Sequence, residues 1–343
     1  MYENYYSLEG KPFQLSPDAR FFFNSAGHNR AMAYLRYGLR QGEGFIVITG
    51  GIGTGKTMLV SNLFNELKDE QVVAAQLVST HVTGDDLLRM ISAAYGLAHD
   101  NLTKAALLRN LETFFRARRA EGRRVLLVVD EAQNLPPQAI EELRMLSNYQ
   151  EDGQALLQSF LLGQLELKRT LQAPGMEQVR QRIIAGYHLR PLDRQEVQAY
   201  IEHRLVLVGW KKDPAISDEA YDAIFKASGG IPRRINNLCD RLMLLGALGE
   251  EHEFNASHVK SVLEEMEGEL GGPEPPPQRG PGEAPAQQQR GGGPQVNPRE
   301  LVQRIQVLEQ EVAQLRTSMA RTRRLVKQAI MLQMDAEDEE DAI

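Results

Sequence analysis

The chain has a single cysteine, Cys239, in 343 residues. No disulfide can close within it, and a reducing compartment is expected. It also lacks any apolar run near the roughly 18 residues that a membrane-crossing helix needs. The opening MYENYYSLEG has neither the basic start nor the apolar stretch of a secretory signal. A cationic excess is missing as well: 39 Lys and Arg stand against 46 Asp and Glu, for a net charge of -7. That balance gives no electrostatic reason to expect nucleic acid as a partner. The expectation is a cytoplasmic protein without a span of its own, meeting a membrane only through a partner. What is present in quantity is apolar residue, 42% of the chain, enough for two or three domains with cores of their own.

The most informative stretch is Phe45 to Leu59, FIVITGGIGTGKTML. An apolar, β-branched run of strand length stops abruptly in a glycine turn. Gly50, Gly55, Lys56 and Thr57 fit G-x-x-x-x-G-K-[ST], a phosphate-binding loop. Glycines let main-chain N–H groups close on phosphates, and a helix starting near Gly55 aims its positive end at them. The cradle is expected to run through Gly50, Gly51, Ile52, Gly53, Thr54, Gly55, Lys56, Thr57 and Met58. Lys56 would reach the β- and γ-phosphates of ATP, and the Thr57 hydroxyl would bind Mg²⁺.

Val125 to Val129 is the most apolar run in the chain and runs directly into Asp130-Glu131. A buried strand ending in two carboxylates supplies the other half of nucleotide hydrolysis. Asp130 would hold Mg²⁺ or its water, and Glu131 would orient and polarise the attacking water. Leu156 to Leu162 reads as a further strand ending at Gly163-Gln164, which makes Gln164 a candidate γ-phosphate sensor beside an ordinary loop glutamine. An arginine just before the last strand, Ile183 to Leu189, would project towards a neighbouring subunit and act there in trans. Arg182 is the first choice and Arg180 the second. Gly229-Gly230-Ile231-Pro232-Arg233-Arg234 opens a helix whose early proline aims the following arginine back at the nucleotide. Arg233 is assigned to γ-phosphate sensing, with Arg234 as the alternative.

Other segments frame these. The first 30 residues alternate aromatics with turn formers and must lie against something, with Phe13 or Phe22 as adenine contacts or as plain packing. His28 reads as a capping or packing histidine. Val72 to Val78 is a strand, and Asp85 to Tyr95, Thr103 to Arg119 and Gln138 to Tyr149 are helices. Arg116, Arg118, Arg119, Arg123 and Arg124 read as a solvated face at a helix end. Beyond Pro191 the pattern turns helical over Asp193 to Val208, Ser217 to Lys226, Ile231 to Leu248 and Asn255 to Glu267, with Asp218 or Ser217 as the cap of the second. Residues 271–298 form a Pro/Gly/Gln linker. Leu301, Ile305, Leu308, Val312, Leu315 and Met319 then follow a 4-3 repeat expected to form a coiled coil.

Several of these stretches resemble a known family. YYSLEGKPFQLSPDARFFF, GHNRAMAYLRYGL, GGIGTGKT, VLLVVDEAQNL, LRMLSNYQ, FLLGQLEL, VRQRI and GGIPRRINNLCDR are similar to the AAA+ ATPases of the ExeA/GspA secretion type, across residues 1–267. The resemblance is nearest to the ATPases associated with XrtA, the exosortase of PEP-CTERM and exopolysaccharide loci. It implies ATP hydrolysis by a ring or partial ring of like subunits in support of envelope assembly or export. It also matches Lys56 and Thr57, Asp130 and Glu131, and Arg182 and Arg233 to the family's phosphate, metal and water, finger and lid-sensor positions. ExeA/GspA proteins continue into a membrane helix and a peptidoglycan-binding domain, where this sequence has a linker and a coil. The coil is therefore expected to recruit a membrane-associated partner or a second copy.

The expected architecture is an α/β P-loop NTPase of the AAA+, ASCE type with a parallel five-stranded sheet over residues 1–190. An all-α lid would span 191–270, the linker 271–298, the coiled coil 299–334 and an acidic tail 335–343. Two other functions fit the same residues: a nucleotide-gated coiled-coil scaffold, and a DNA-directed ATPase of the transposition type.

Overall fold

The computed structural model describes residues 2–16, 18–67, 71–78 and 84–269. The expected linker, coil and acidic tail lie outside the described residues.

Five strands, β1 (Phe45–Gly50), β2 (Val72–Val78), β3 (Arg124–Asp130), β4 (Leu157–Gly163) and β5 (Ile183–Leu189), form one sheet in the order β2-β3-β4-β1-β5. Every pairing in it is parallel. β1, β3 and β4 are buried along nearly their whole length, which is why they read as continuous apolar runs. Their side chains alternate between two cores, as the two-residue period of a strand requires. Phe45, Val47, Val125, Leu127 and Val129 face one core; Ile46, Ile48, Leu126 and Val128 face the other.

Helices cover both faces. The second core is closed by α1 (Ala26–Gln41) and α2 (Lys56–Leu67), through Met32, Leu35, Leu59 and Leu63. The first is closed by α3 (Gly84–Ala94), α4 (Lys104–Ala120) and α5 (Pro137–Leu146), with α6 (Leu165–Gln172) and the short α7 (Glu177–Arg180) at its margin. Each fully buried Leu or Ile on these helices contributes about 2 kcal/mol by leaving water. Two starts are sequence-encoded: the Ser25 side chain accepts from the His28 N–H, and Thr103 caps α4.

α5 ends at Leu146, three residues before the expected Tyr149. A small hairpin, Gln150–Glu151 with Gln154–Ala155, takes over. Its turn is Asp152-Gly153, both with positive φ (52° and 74°), the geometry an Asp-Gly pair favours.

Beyond β5 come α8 (Arg194–Val206), α9 (Asp218–Ser228), α10 (Pro232–Leu248) and α11 (Ala256–Glu269). Asp193 and Glu196 make a reciprocal capping box at α8, and the Ser217 hydroxyl caps α9. These helices share a third core with the N-terminal aromatics: Tyr2, Tyr6, Phe13 and Phe21 pack with Val197, Leu205, Leu242 and Phe254. Most of the opening segment therefore completes the helical layer, while Phe22 packs against the second core of the sheet.

Candidate functional site

Parallel pairing brings the ends of β1, β3 and β4 to one edge. β4 lies between β1 and β3, so Gly50, Asp130 and Gly163 finish side by side. α2 starts at Lys56 on the same edge, its first N–H groups unpaired within the helix and available to an anion.

The loop between β1 and α2 cannot be built from residues with side chains at every position. Gly53 and Gly55 have φ of +78° and +98°, and a Cβ on Gly53 would stand 2.7 Å from that of Arg233. Lys56 is 5% exposed, and its ammonium donates to the Gly50 and Gly51 carbonyls at 3.0 Å each. Burial pulls its pKa down, against the nearby Glu131 and Asp130 charges, which hold it up. Ile52 is exposed, and Met58 lines the adjoining apolar recess. The Thr54 hydroxyl donates to the Gly51 carbonyl and stiffens the turn.

Thr57 Oγ1 donates to Asp130 Oδ2 at 2.9 Å. Asp130 is 2% exposed, and its Oδ1 accepts from the Glu131 N–H at 2.9 Å. These hard oxygens, a hydroxyl and a carboxylate facing one another, are the donor set that Mg²⁺ takes alongside phosphate and water. The residues present thus fit the metal.

Glu131 stands in the left-handed region, φ 52° and ψ 35°, a conformation costly for a residue other than glycine and found where a side chain must be aimed. Its Oε2 accepts from Gln133 Nε2 at 2.6 Å and from Gln164 Nε2 at 3.3 Å. The Gln133 amide oxygen in turn accepts from the Gln164 N–H at 2.9 Å. Gln133 thereby ties the end of β3 to the end of β4. Nothing in its local sequence marks this role, and only the strand order reveals it.

Arg233 donates its N–H to the Gly53 carbonyl at 3.2 Å, and its side chain lines a cavity of about 340 Å³ together with Lys56, Thr57, Glu131 and Asn236. Arg234 does not line it. A small apolar recess of about 40 Å³ alongside is walled by Phe22, His28, Met58, Leu192, Tyr200 and Pro232. Phe22 is in this wall, whereas Phe13 is buried in the third core.

Arg182 lies at the other edge of the sheet. Ile183 is level with Phe45 and Leu189 with Gly50, so about 20 Å of strand separates it from its own phosphate loop. It donates to the Ser147 carbonyl and lines a surface recess with Arg144 and Gln178. Arg180 is committed to the Leu171 and Ala173 carbonyls and to Glu177. That same edge holds a 420 Å³ cavity bordered by Arg40, Arg119, Arg123 and Arg124. Two of these arginines bond within the protein: Arg124 donates to the Leu39 carbonyl at the end of α1, and Arg119 to Gln154.

A family model described as an AAA domain matches residues 39–171. The chain is similar to the general secretion pathway protein A of Aeromonas hydrophila, 37% identical over 269 residues, which are 78% of this chain and 49% of that protein. The chain thus spans about half the length of the curated relative it matches. Among solved structures it is similar to Cdc6p from Pyrobaculum aerophilum, with a TM-score of 0.60 at 14% identity over 74% of this chain and 70% of that one. It is also similar to the ORC2 protein of Aeropyrum pernix in its ADPNP-ADP complexes, with a TM-score of 0.55 at 17% identity over 73% and 72%. At such identities the likeness to these two is one of fold. No helix among the described residues is long and apolar enough to cross a membrane.

Proposed function

We infer that the chain is an ATPase, converting ATP and water to ADP and phosphate; a family model described as an AAA domain matches residues 39–171, and the loop of residues 50–57 sits on a five-stranded parallel sheet. The observation that carries this reading is the continuous hydrogen-bonded set Thr57, Asp130, Glu131, Gln133 and Gln164 beside the buried Lys56. A protein that only bound nucleotide would have no use for a strained carboxylate aimed by two amides.

The residues divide the work. Main-chain N–H groups from Gly53 to Thr57 and the Lys56 ammonium hold the phosphates. Thr57 and Asp130 would hold Mg²⁺, which would supply positive charge to offset that of the phosphates. Glu131 orients water and accepts its proton, and Gln164 contacts the γ-phosphate from between the two motif strands. Arg233 closes on the same phosphate from the helical layer, which acts as the lid over 191–270. Arg182, far from its own site, completes the site of a neighbouring copy, so the active form is a homo-oligomer, a ring or partial ring.

The relative in A. hydrophila supports a role in secretion. Following the motifs quoted above, we assign the chain to the exosortase and exopolysaccharide branch, acting in the cytoplasm and recruited by its coiled coil to a membrane-associated assembly partner.

Two variants test this together. Lys56→Ala is expected to abolish ATP binding and Arg182→Ala to bind ATP without turning it over. Mixing them is expected to restore part of the activity, because each supplies what the other lacks. Undiminished binding by Lys56→Ala would overturn the site, and full turnover by Arg182→Ala alone would remove the arginine from the neighbour's chemistry.

A further inference from the structure

Asn236 lies in α10 three residues after Arg233, on the same face of the helix. The start of α10 is docked on the phosphate loop, where the Arg233 N–H donates to the Gly53 carbonyl at 3.2 Å. Asparagine is a poor residue for a helix interior and a costly one to bury, yet Asn236 is only 7% exposed.

Two residues of α8 fix its amide. Arg204 Nη1 donates to the Tyr200 hydroxyl at 3.1 Å, and that hydroxyl donates to Asn236 Oδ1 at 2.8 Å. A guanidinium can only donate, so the hydroxyl oxygen accepts from Arg204 and its one proton must go elsewhere. Turning the Asn236 amide over would aim a second donor at that oxygen. It would also leave the buried hydroxyl proton with no acceptor among the described residues. The relay therefore holds Oδ1 towards Tyr200 and Nδ2 away from it.

Nδ2 bonds to nothing among the described residues. Nor is it sealed in, since the sealed side-chain atoms without a partner there are Arg118 Nε, Ser159 Oγ and His203 Nε2. The space that Asn236 lines is the cavity of about 340 Å³ shared with Lys56, Thr57, Glu131 and Arg233. A donor of fixed direction, with no partner of its own, thus opens on the nucleotide cavity.

We propose that Asn236 is a nucleotide-binding residue, its Nδ2 donating to an oxygen of the sugar–phosphate part of the nucleotide, with Tyr200 as the positioning residue that keeps the amide turned for it. The proposal rests on the reading of Gly50–Met58 as the phosphate cradle. Arg204 also donates to the Pro12 and Gln14 carbonyls, so the same relay ties the N-terminal segment to the nucleotide contact.

The test removes the donor without stranding its partner. Tyr200→Phe keeps the amide but frees it to turn. Tyr200→Phe combined with Asn236→Leu replaces both ends of the bond with apolar groups of similar size. Both variants lose the Arg204 bond to the hydroxyl, so the comparison between them isolates the amide. Binding of Mg·ADP and adenosine is measured on the full chain, with melting temperatures as a check on folding. One lost hydrogen bond predicts about tenfold weaker binding of Mg·ADP by the double variant than by Tyr200→Phe, at similar melting temperatures. A loss shared by adenosine places the contact on the ribose, and one confined to Mg·ADP places it on a phosphate. Equal affinities of the two variants for Mg·ADP would overturn the proposal. An amide free to take two orientations predicts about twofold weaker binding by Tyr200→Phe than by wild type; wild-type affinity there would overturn the positioning role. The side-chain amide resonance of Asn236 in the wild-type protein is a second reading. A shift on adding Mg·ADP supports the contact and an unmoved resonance overturns it, whatever the variants do. Failure of wild type itself to bind Mg·ADP would instead strike the cradle reading, so the two failures are told apart.

Discussion

Arg204 offers the sharpest test of how the N-terminal segment is held. It projects from α8 with 5% exposure, and no carboxylate is paired with it among the described residues. Its guanidinium donates to the Pro12 carbonyl, to the Gln14 carbonyl at 3.3 Å and to the Tyr200 hydroxyl at 3.1 Å. It also lies over the Phe21 ring at 4.5 Å and the Tyr200 ring at 5.6 Å. Replacing it with methionine keeps an apolar stem but strands two main-chain carbonyls, at about 1–3 kcal/mol each. The cation–π contacts are lost too, at up to about 2 kcal/mol. Against this, a buried charge no longer has to be desolvated, which returns a few kcal/mol. The net expectation is a destabilisation of about 3 kcal/mol. Arg204→Lys should recover less than half of it, since an ammonium cannot span three acceptors set out for a planar fork. Urea unfolding gives the total, and hydrogen exchange over residues 2–16 and 18–23 shows whether the loss begins there. A loss under about 1 kcal/mol with unchanged protection of this segment would refute the reasoning.

Gln133→Leu should leave ATP affinity intact while lowering turnover about tenfold, because it removes the 2.6 Å bond that aims Glu131; a steady-state comparison of kcat and KM checks it. The pH dependence of stability follows from one buried imidazole, His28, and one half-buried, His203. Burial lowers the pKa of both His28 and His203 from the free value of 6.5. The unfolded chain therefore binds these protons more readily than the folded one. Their contribution is fully present above pH 6.5 and is lost as pH falls through the lower folded values. Thermal melts across that range should show a slope towards acid that flattens in a His28→Gln, His203→Gln double variant.

The centre of the sheet was readable in the sequence because β1, β3 and β4 are buried on both faces and so appear as unbroken apolar runs. β2, β3 and β5 fall within a residue of their expected spans, and the glycine turn after β1 announces the loop by composition alone. Strand order carried information that local pattern could not. It is the insertion of β4 between β1 and β3 that brings Gln164 to Glu131 and lets Gln133 bridge the two strand ends. His28 was read from its neighbourhood as a capping or packing residue. It does both, but its contact with Gly55 needs the whole of α1 docked on β1. The N-terminal aromatics gave no period at all. Their partners, such as Asp240 for Tyr2 and the Pro12 carbonyl for Arg204, are about 190 to 240 residues away, beyond any window in which periodicity is visible. The Asp152-Gly153 hairpin, by contrast, carries its turn signature in the dipeptide itself.

The central claim is that the amides and ammonium of residues 50–58 grip a nucleotide whose hydrolysis depends on the Glu131 carboxylate. The most direct measurement pairs calorimetric binding of Mg·ATP with steady-state turnover for wild type and Glu131→Gln. The account predicts similar affinities and a turnover lowered about 10²- to 10⁴-fold in the variant, the range for losing a positioned general base. Equal turnover by the two proteins would contradict it.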